Sequence, residues 1–298
     1  MKLIKLKNKG CHHIAQTLAD GLNGDYNEFE PYSDITFQNE IGAGKISIIK
    51  VSPSCTTLIF DLHLNQIVQL NMEGELANLT SLYFCLEGSL MHSLKGDNDY
   101  KIINFRQNSI FKGSNKASIL HLPKDENLKL TVIFLRPSAA QGGSLPYLQS
   151  ISDHGNIHID LDKDNLYLGR HCVRTAKFVE ELLALDSNDN VKLVFKHAAI
   201  LNIIASQIER YYQDCENPLT QTELRGYDLE KIREIEKFII DNLTERLSID
   251  DLTRVAGISP NKLQNGFRYL YSDTVNSYIT DKRLELAIKL FESDKYNI

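Results

Sequence analysis

Between Ser259 and Tyr271 the chain carries Asn261, Lys262, Gln264, Asn265 and Arg268 and no acidic residue. Asn and Gln carboxamides can each pair with adenine at N6 and N7, while Lys and Arg suit guanine or phosphate. Such side chains, held outward on one helix, are equipped to read base edges rather than to break bonds. Ser259 and Pro260 stand just ahead of them, one suited to cap a helix and the other to its first turn, where a missing N–H costs nothing. Ser259, Pro260, Asn261, Lys262, Gln264, Asn265 and Arg268 are therefore the candidate DNA-binding residues, and the expected partner is the major groove of double-stranded DNA. With 33 Lys and Arg against 39 Asp and Glu, the net charge is −6. Binding by bulk charge is excluded, so any contact has to be local.

The elements that must hold this segment are sharply punctuated. Leu229, Ile232, Ile235, Ile239, Ile240 and Leu243 share one face of a helix beginning near Asp228. Ser248-Ile249-Asp250-Asp251 is a capping box, in which the Ser hydroxyl accepts the amide proton three residues on and starts a second helix. Gly257 ends it, because the left-handed conformation after a helix end is easiest for glycine. Ser259-Pro260 starts a third, anchored by Leu263 and Phe267. Thr274 caps a fourth, with Val275, Tyr278, Ile279, Leu286, Ala287 and Leu290 on its inner side. Two capped helices around a short glycine turn predict a helix-turn-helix.

Upstream the periodicity differs. From Lys45 to Arg136 short apolar runs alternate with Gly, Asn, Asp, Ser and Pro, the pattern of an antiparallel barrel or sandwich. Leu128 to Val132 alternates as a half-buried strand should, and Met1 to Lys7 reads as an edge strand. After Gln141-Gly142-Gly143-Ser144 the period becomes helical, apart from a short strand signal at Ile157-His158-Ile159. Val173, Ala176, Val179 and Leu183 mark one helix. Leu193, Ile200, Leu201, Ile204, Ile208 and Tyr211 mark a longer one, whose stripe packs on its own domain or forms a dimer seam. Pro218 and Gly226 bracket a second linker. The resulting expectation is an α+β chain with a β-barrel over 1–140, a helical linker and dimerisation region over 141–225, and helix-turn-helix helices over 226–298.

The hydrophobic and charged fractions, 42% and 24%, are those of a soluble globular protein. No apolar run approaches the roughly 20 residues of a membrane span, and the N-terminus lacks the continuous apolar stretch of a signal peptide. Cys11, Cys55, Cys85, Cys172 and Cys215 are odd in number and widely spaced, which argues against disulfides or zinc and for the cytoplasm.

From about Ile232 onward the sequence resembles the first half of the AraC-type DNA-binding domain. The likeness is carried in order by Ser248-Ile249, Leu252, Gly257-Ile258-Ser259-Pro260, Leu263, Phe267-Arg268, Thr274-Val275, Tyr278 and Arg283-Leu284-Glu285-Leu286-Ala287. Lys262 to Arg268 most resembles the branch associated with siderophore regulators. Phe84-Cys85-Leu86-Glu87-Gly88 resembles the sensor half of such regulators, which implies a cupin-like barrel that binds a small-molecule effector, and a homodimer. Ser272 and Thr253 depart from the family pattern, where Gly and Ala are usual. The family carries a second helix-turn-helix, and Tyr296-Asn297-Ile298 resembles its opening, so the sequence reads as a truncated regulator.

His63, His92 and His121 lie on predicted strands, but lack the close His-x-His with Glu of a cupin metal site; no metal or cofactor is expected. Tyr83, Phe84, Phe105 and Phe111 are read as core in preference to pocket wall. Without a phosphate loop, nucleophile elbow or paired catalytic carboxylates, an enzyme is not expected. The alternative to a DNA-binding regulator is a ligand-binding or dimeric interaction protein whose truncated reader no longer binds DNA.

Overall fold

The computed structural model describes residues 1–7, 10–29, 31–97, 99–113, 116–136, 166–185, 189–216, 226–271 and 274–292. The strand signal at 157–159, the linker at 141–144 and Ser272 fall outside the described residues. Two compact units emerge: Met1–Gly169 with Arg174–Gln213, and Arg170–Val173 with Asp214–Ile298.

The first unit opens with β1 (Lys2–Lys7) and α1 (Cys11–Leu22), continues through β2 (Asp25–Phe29), β3 (Tyr32–Asn39), β4 (Gly42–Ser52), β5 (Cys55–Leu64) and β6 (Val68–Glu73), and then makes a 3-10 turn at Gly74–Asn78. There follow β7 (Thr80–Glu87), β8 (Leu90–Leu94), β9 (Tyr100–Ile103), β10 (Gln107–Phe111), β11 (Ser118–Leu122), β12 (Asn127–Leu135) and β13 (Leu166–His171), whose last two residues fall in the second unit. They pair as a five-stranded sheet ordered β1-β6-β11-β8-β9 and an eight-stranded sheet ordered β13-β10-β7-β12-β5-β4-β3-β2. One core lies between the sheets. Leu70, Leu120 and Leu90 enter it from the smaller sheet; Ile46, Phe60, Val132 and Tyr83 enter from the larger.

The strands expected to form an antiparallel barrel thus pair as two sheets and not as one closed barrel. One pairing is not antiparallel either, since β1 runs parallel to β6. Its cause is α1, which intervenes after β1 and frees that strand from a hairpin. β1 does lie at a sheet edge, as expected. The helix α1 has no side-chain cap at its N-terminus and ends at Asn23 in the left-handed conformation. Its Ile14, Ala15, Leu18, Ala19 and Leu22 are buried.

β12 also departs from expectation, for it is buried on both faces. It sits inside the larger sheet, whose outer face is covered by α2 (Val173–Leu183) and α3 (Asn190–Glu216). Lys196 lies 4.4 Å over the Tyr32 ring, and Leu182 and Leu183 share a crevice with Ile49 and Ile59. Thr131, on the outward side of β12, is 1% exposed as a result. In α2 the buried leucine is Leu182 rather than Leu183. In α3 the expected stripe does pack on its own unit at Ile200, Ile204, Ile208 and Tyr211. The opposite side of α3 shows Val191, Val194 and Phe195 to solvent. By length and composition α3 would suit a bilayer, but its core side is buried in protein.

The second unit is helical: α4 (Gly226–Asp241), α5 (Ile249–Ala256), α6 (Pro260–Tyr271) and α7 (Val275–Glu292). Ile232, Ile235 and Ile239 of α4 meet Leu252, Leu263, Phe267, Leu270, Val275 and Tyr278 in one cluster.

Candidate nucleic-acid interface

The capping signals in the second unit have structural counterparts, whereas Ile240 and Leu290, expected on inner faces, are 44% and 42% exposed. The Asp251 N–H donates to the Ser248 hydroxyl oxygen at 3.2 Å, and that hydroxyl donates back to the Asp251 carboxylate at 2.5 Å. This bond from Ser248 is the first cause holding the Asp251 carboxyl below its ordinary range. Gly257 adopts φ 62, ψ 37 and its N–H closes the helix on the Thr253 carbonyl. The Lys262 N–H donates to the Ser259 hydroxyl at 3.3 Å, which makes Ser259 the N-cap of α6 with Pro260 in its first turn. Thr274 caps α7 by accepting from the Ser277 N–H at 3.2 Å. Thr253 directs its hydroxyl to the Asp250 carbonyl, so its extra bulk leaves no unsatisfied polar atom.

Packing fixes the angle between the helices. At Gly266 a Cβ would stand 1.8 Å from Cδ1 of Ile232, so α4 and α6 approach closely enough that a side chain at 266 would have to displace Ile232. Phe267, Tyr271 and Tyr278 pack in tilted and edge-on pairs at ring distances of 4.9 to 5.5 Å. The Tyr278 hydroxyl donates to Glu236 at 2.6 Å. Arg283 donates to the carbonyls of Leu243 and Glu245, which tie the chain leaving α4 to α7.

Against this frame the seven candidate residues divide. Ser259, Pro260, Asn261 and Arg268 are exposed. Asn261, Asn265 and Arg268 are four and three residues apart, so they share one helix face; Asn265 is half-buried. Lys262 instead reaches across to Asp228, at 3.1 and 3.0 Å from its two carboxylate oxygens. Gln264 accepts from the Val275 N–H at 3.4 Å, assisting the start of α7. Sequence reasoning missed Asp228 as the partner of Lys262; an acid in the first turn of α4 was the available signal.

In the first unit, Tyr83, Phe84 and Phe111 are buried core, whereas Phe105 is 37% exposed. The three strand histidines do not converge. His63 bonds to Asn127, His92 to Ser118 at 2.7 Å inside the core, and His121 bridges Gln69 and Ser93 on the outer face of the smaller sheet. Burial pushes His92 down to about 4 and the Tyr83 phenol up to about 12. Among the described residues no three His, Cys, Asp or Glu side chains are grouped to hold a metal.

No protein-family model matches the chain, and no curated protein matches it. Among solved structures it is similar to the AraC-like transcriptional activator CuxR, at 12% identity over 83% of this chain and 81% of that one, with a TM-score of 0.35. ToxT from Vibrio cholerae, bound to an unsaturated fatty acid, gives 13% identity over 82% and 83%, TM-score 0.35. A variant of oxalate decarboxylase from Bacillus subtilis gives 15% identity over 34% and 29%, TM-score 0.27.

Proposed function

We propose that the chain is a transcription regulator of the AraC type, acting in the cytoplasm. Its second unit enters the DNA major groove through α6, its first unit binds a small-molecule effector, and two copies associate through α3. The observation that carries the reading is the capped pair α5 and α6, joined by a left-handed Gly257, with Ser259, Pro260, Asn261 and Arg268 exposed and no acid on α6. Asn261, Asn265 and Arg268 contact base edges or phosphates; the start of α6 faces phosphate, where helix N–H groups favour anions. Lys262 and Gln264 flank this face and hold it in place. The effector acts by shifting the population of two arrangements of the chain.

Titrating a labelled duplex of random sequence with the protein at low salt, followed by fluorescence anisotropy, tests this. The expected dissociation constant lies in the non-specific range of about 10⁻⁴ to 10⁻⁶ M, weakening steeply with salt. Complete absence of binding would overturn the reading. A second reading, a ligand-binding or dimeric interaction protein without DNA affinity, draws on the engagement of Lys262 and Gln264 within the unit, and the same titration separates the two.

A further inference from the structure

A cavity of about 360 Å³ opens in the first unit where α1 begins, between the β4–β5 turn, the 3-10 turn and the end of β12. That volume falls within the roughly 300 to 1,000 Å³ of small-molecule sites. Its floor is Ile14, Leu76, Leu79 and Phe134, apolar residues of the core between the sheets. Its rim is polar and cationic. Lys50 and Arg136 stand on it against a single acid, Glu75, whose carboxylate is a loose 3.7 Å from the Arg136 guanidinium. Ser54 and Thr56 add hydroxyls. Gly10 and Cys11 line the same wall at the start of α1, a helix with no acid in its first turn and no side-chain cap, so its dipole adds positive potential to the wall. In a chain of net charge −6, the cavity's rim carries two cations against one acid above an apolar floor.

We propose that this cavity is the effector site and that it takes a small amphipathic anion, a monocarboxylate with a compact apolar body. The carboxylate lies between Lys50 and Arg136, where charge-assisted hydrogen bonds are strongest; the apolar body rests on Ile14, Leu76 and Phe134. Glu75 disfavours a dianion by placing one like charge at the rim. The assignment rests on the reading of the first unit as a sensor, and its test contains no DNA, so failure of the DNA reader leaves the outcome intact and the reverse also holds.

Calorimetric titration of the full chain with sodium octanoate, octan-1-ol, octyltrimethylammonium and inorganic phosphate provides that test. Octanoate is expected to bind once per chain, at least tenfold more tightly than the other three. Replacing both cations, Lys50→Gln with Arg136→Gln, should weaken octanoate at least tenfold. On the unaltered chain, octanoate should slow alkylation of Cys11 by N-ethylmaleimide and leave the exposed Cys215 unaffected, read peptide by peptide in the mass spectrometer. The proposal is overturned if octanol binds as well as octanoate, if octanoate gives neither heat nor protection of Cys11, or if a folded double variant binds it unchanged. Should the double variant not fold, protection of Cys11 on the unaltered chain decides the matter.

Discussion

Lys262 and Arg268 have the same charge and lie six residues apart on α6, yet their surroundings give them different work. The Lys262 ammonium sits 3.0 Å from Asp228, a carboxylate only 5% exposed, whereas Arg268 is exposed. Removing a partner from a largely buried carboxylate costs about 1 to 3 kcal/mol. Lys262→Met should therefore lower the unfolding free energy of the second unit by that amount and leave duplex affinity within a few-fold. Arg268→Ala should do the opposite: stability within about 0.5 kcal/mol and a binding loss of about 1 to 3 kcal/mol. Denaturant unfolding and anisotropy on the two variants check the pair, and an Arg268→Ala chain that binds duplex as tightly as the natural one would remove α6 as the reader. A second residue, His92, makes stability depend on pH. Burial holds its folded value near 4, below the ordinary 6.5, so at pH 7 the ring is neutral in the folded state and mostly neutral in the unfolded one, and its effect on stability is small. As pH falls from 6.5 to 4 the unfolded chain takes up the proton first, and stability declines by about 3 kcal/mol. His121, lowered by desolvation as well, acts in the same direction. Unfolding curves at pH 7 and pH 4.5 should differ less in His92→Gln than in the natural chain; equal differences would mean that His92 is accessible to protons while folded.

At the level of elements, α6 tolerates a glycine in its interior for a reason visible in α4. Glycine there costs about 1 kcal/mol of helix propensity against alanine, yet a Cβ at 266 would meet Ile232 at 1.8 Å. Gly266→Ala should thus destabilise the second unit by about 1 to 3 kcal/mol through overpacking, despite the gain in propensity. Adding Ile232→Val, which removes the offending Cδ1, should recover part of the loss; a Gly266→Ala chain as stable as the natural one would mean that the two helices can separate. Cap residues were legible in the sequence because their effect is local: Ser248, Gly257, Ser259 and Thr274 each act within a few residues. Strand positions were legible for the same reason, through period-two alternation. Sheet closure was not, since it depends on which distant strands pair, and β1 pairs with β6 across 66 residues, Lys2 with Val68. Nor was α1, whose Gly10 and Asn23 ends carry no side-chain capping signal. The engagement of Lys262 by Asp228 is likewise a contact across 34 residues, invisible to any reading of α6 alone.

For the molecule as a whole, the open question of assembly turns on the two faces of α3. One is occupied: Ile200, Ile203, Ile204 and Tyr211 are buried, with the Tyr211 ring 5.0 Å from Tyr167 of β13. The other runs Val191, Ala198, Ala205, Tyr212 at seven-residue intervals, with Val194 and Phe195 beside the first turn, and Val194 and Phe195 are 68% and 59% exposed. Apolar residues repeated every seven positions are what a second helix needs in order to pack alongside, and a helix of 27 residues offers about 40 Å of length to do so. A dimer through this face would also link two α6 readers, and linking two modules raises avidity by about 10² to 10⁴. Val194→Glu with Phe195→Glu should therefore convert the chain to a monomer at micromolar concentration in sedimentation velocity. Because both side chains are exposed in the single chain, the thermal midpoint measured under dilute, monomeric conditions should stay within a few degrees, while duplex affinity falls more than tenfold. Ile203→Ala, on the buried face, should instead lower the midpoint without favouring monomer, since it opens a cavity within one copy. A natural chain that sediments as a monomer at every concentration, or a double variant that sediments and binds duplex as the natural chain does, would remove α3 as the seam and leave each α6 to act alone.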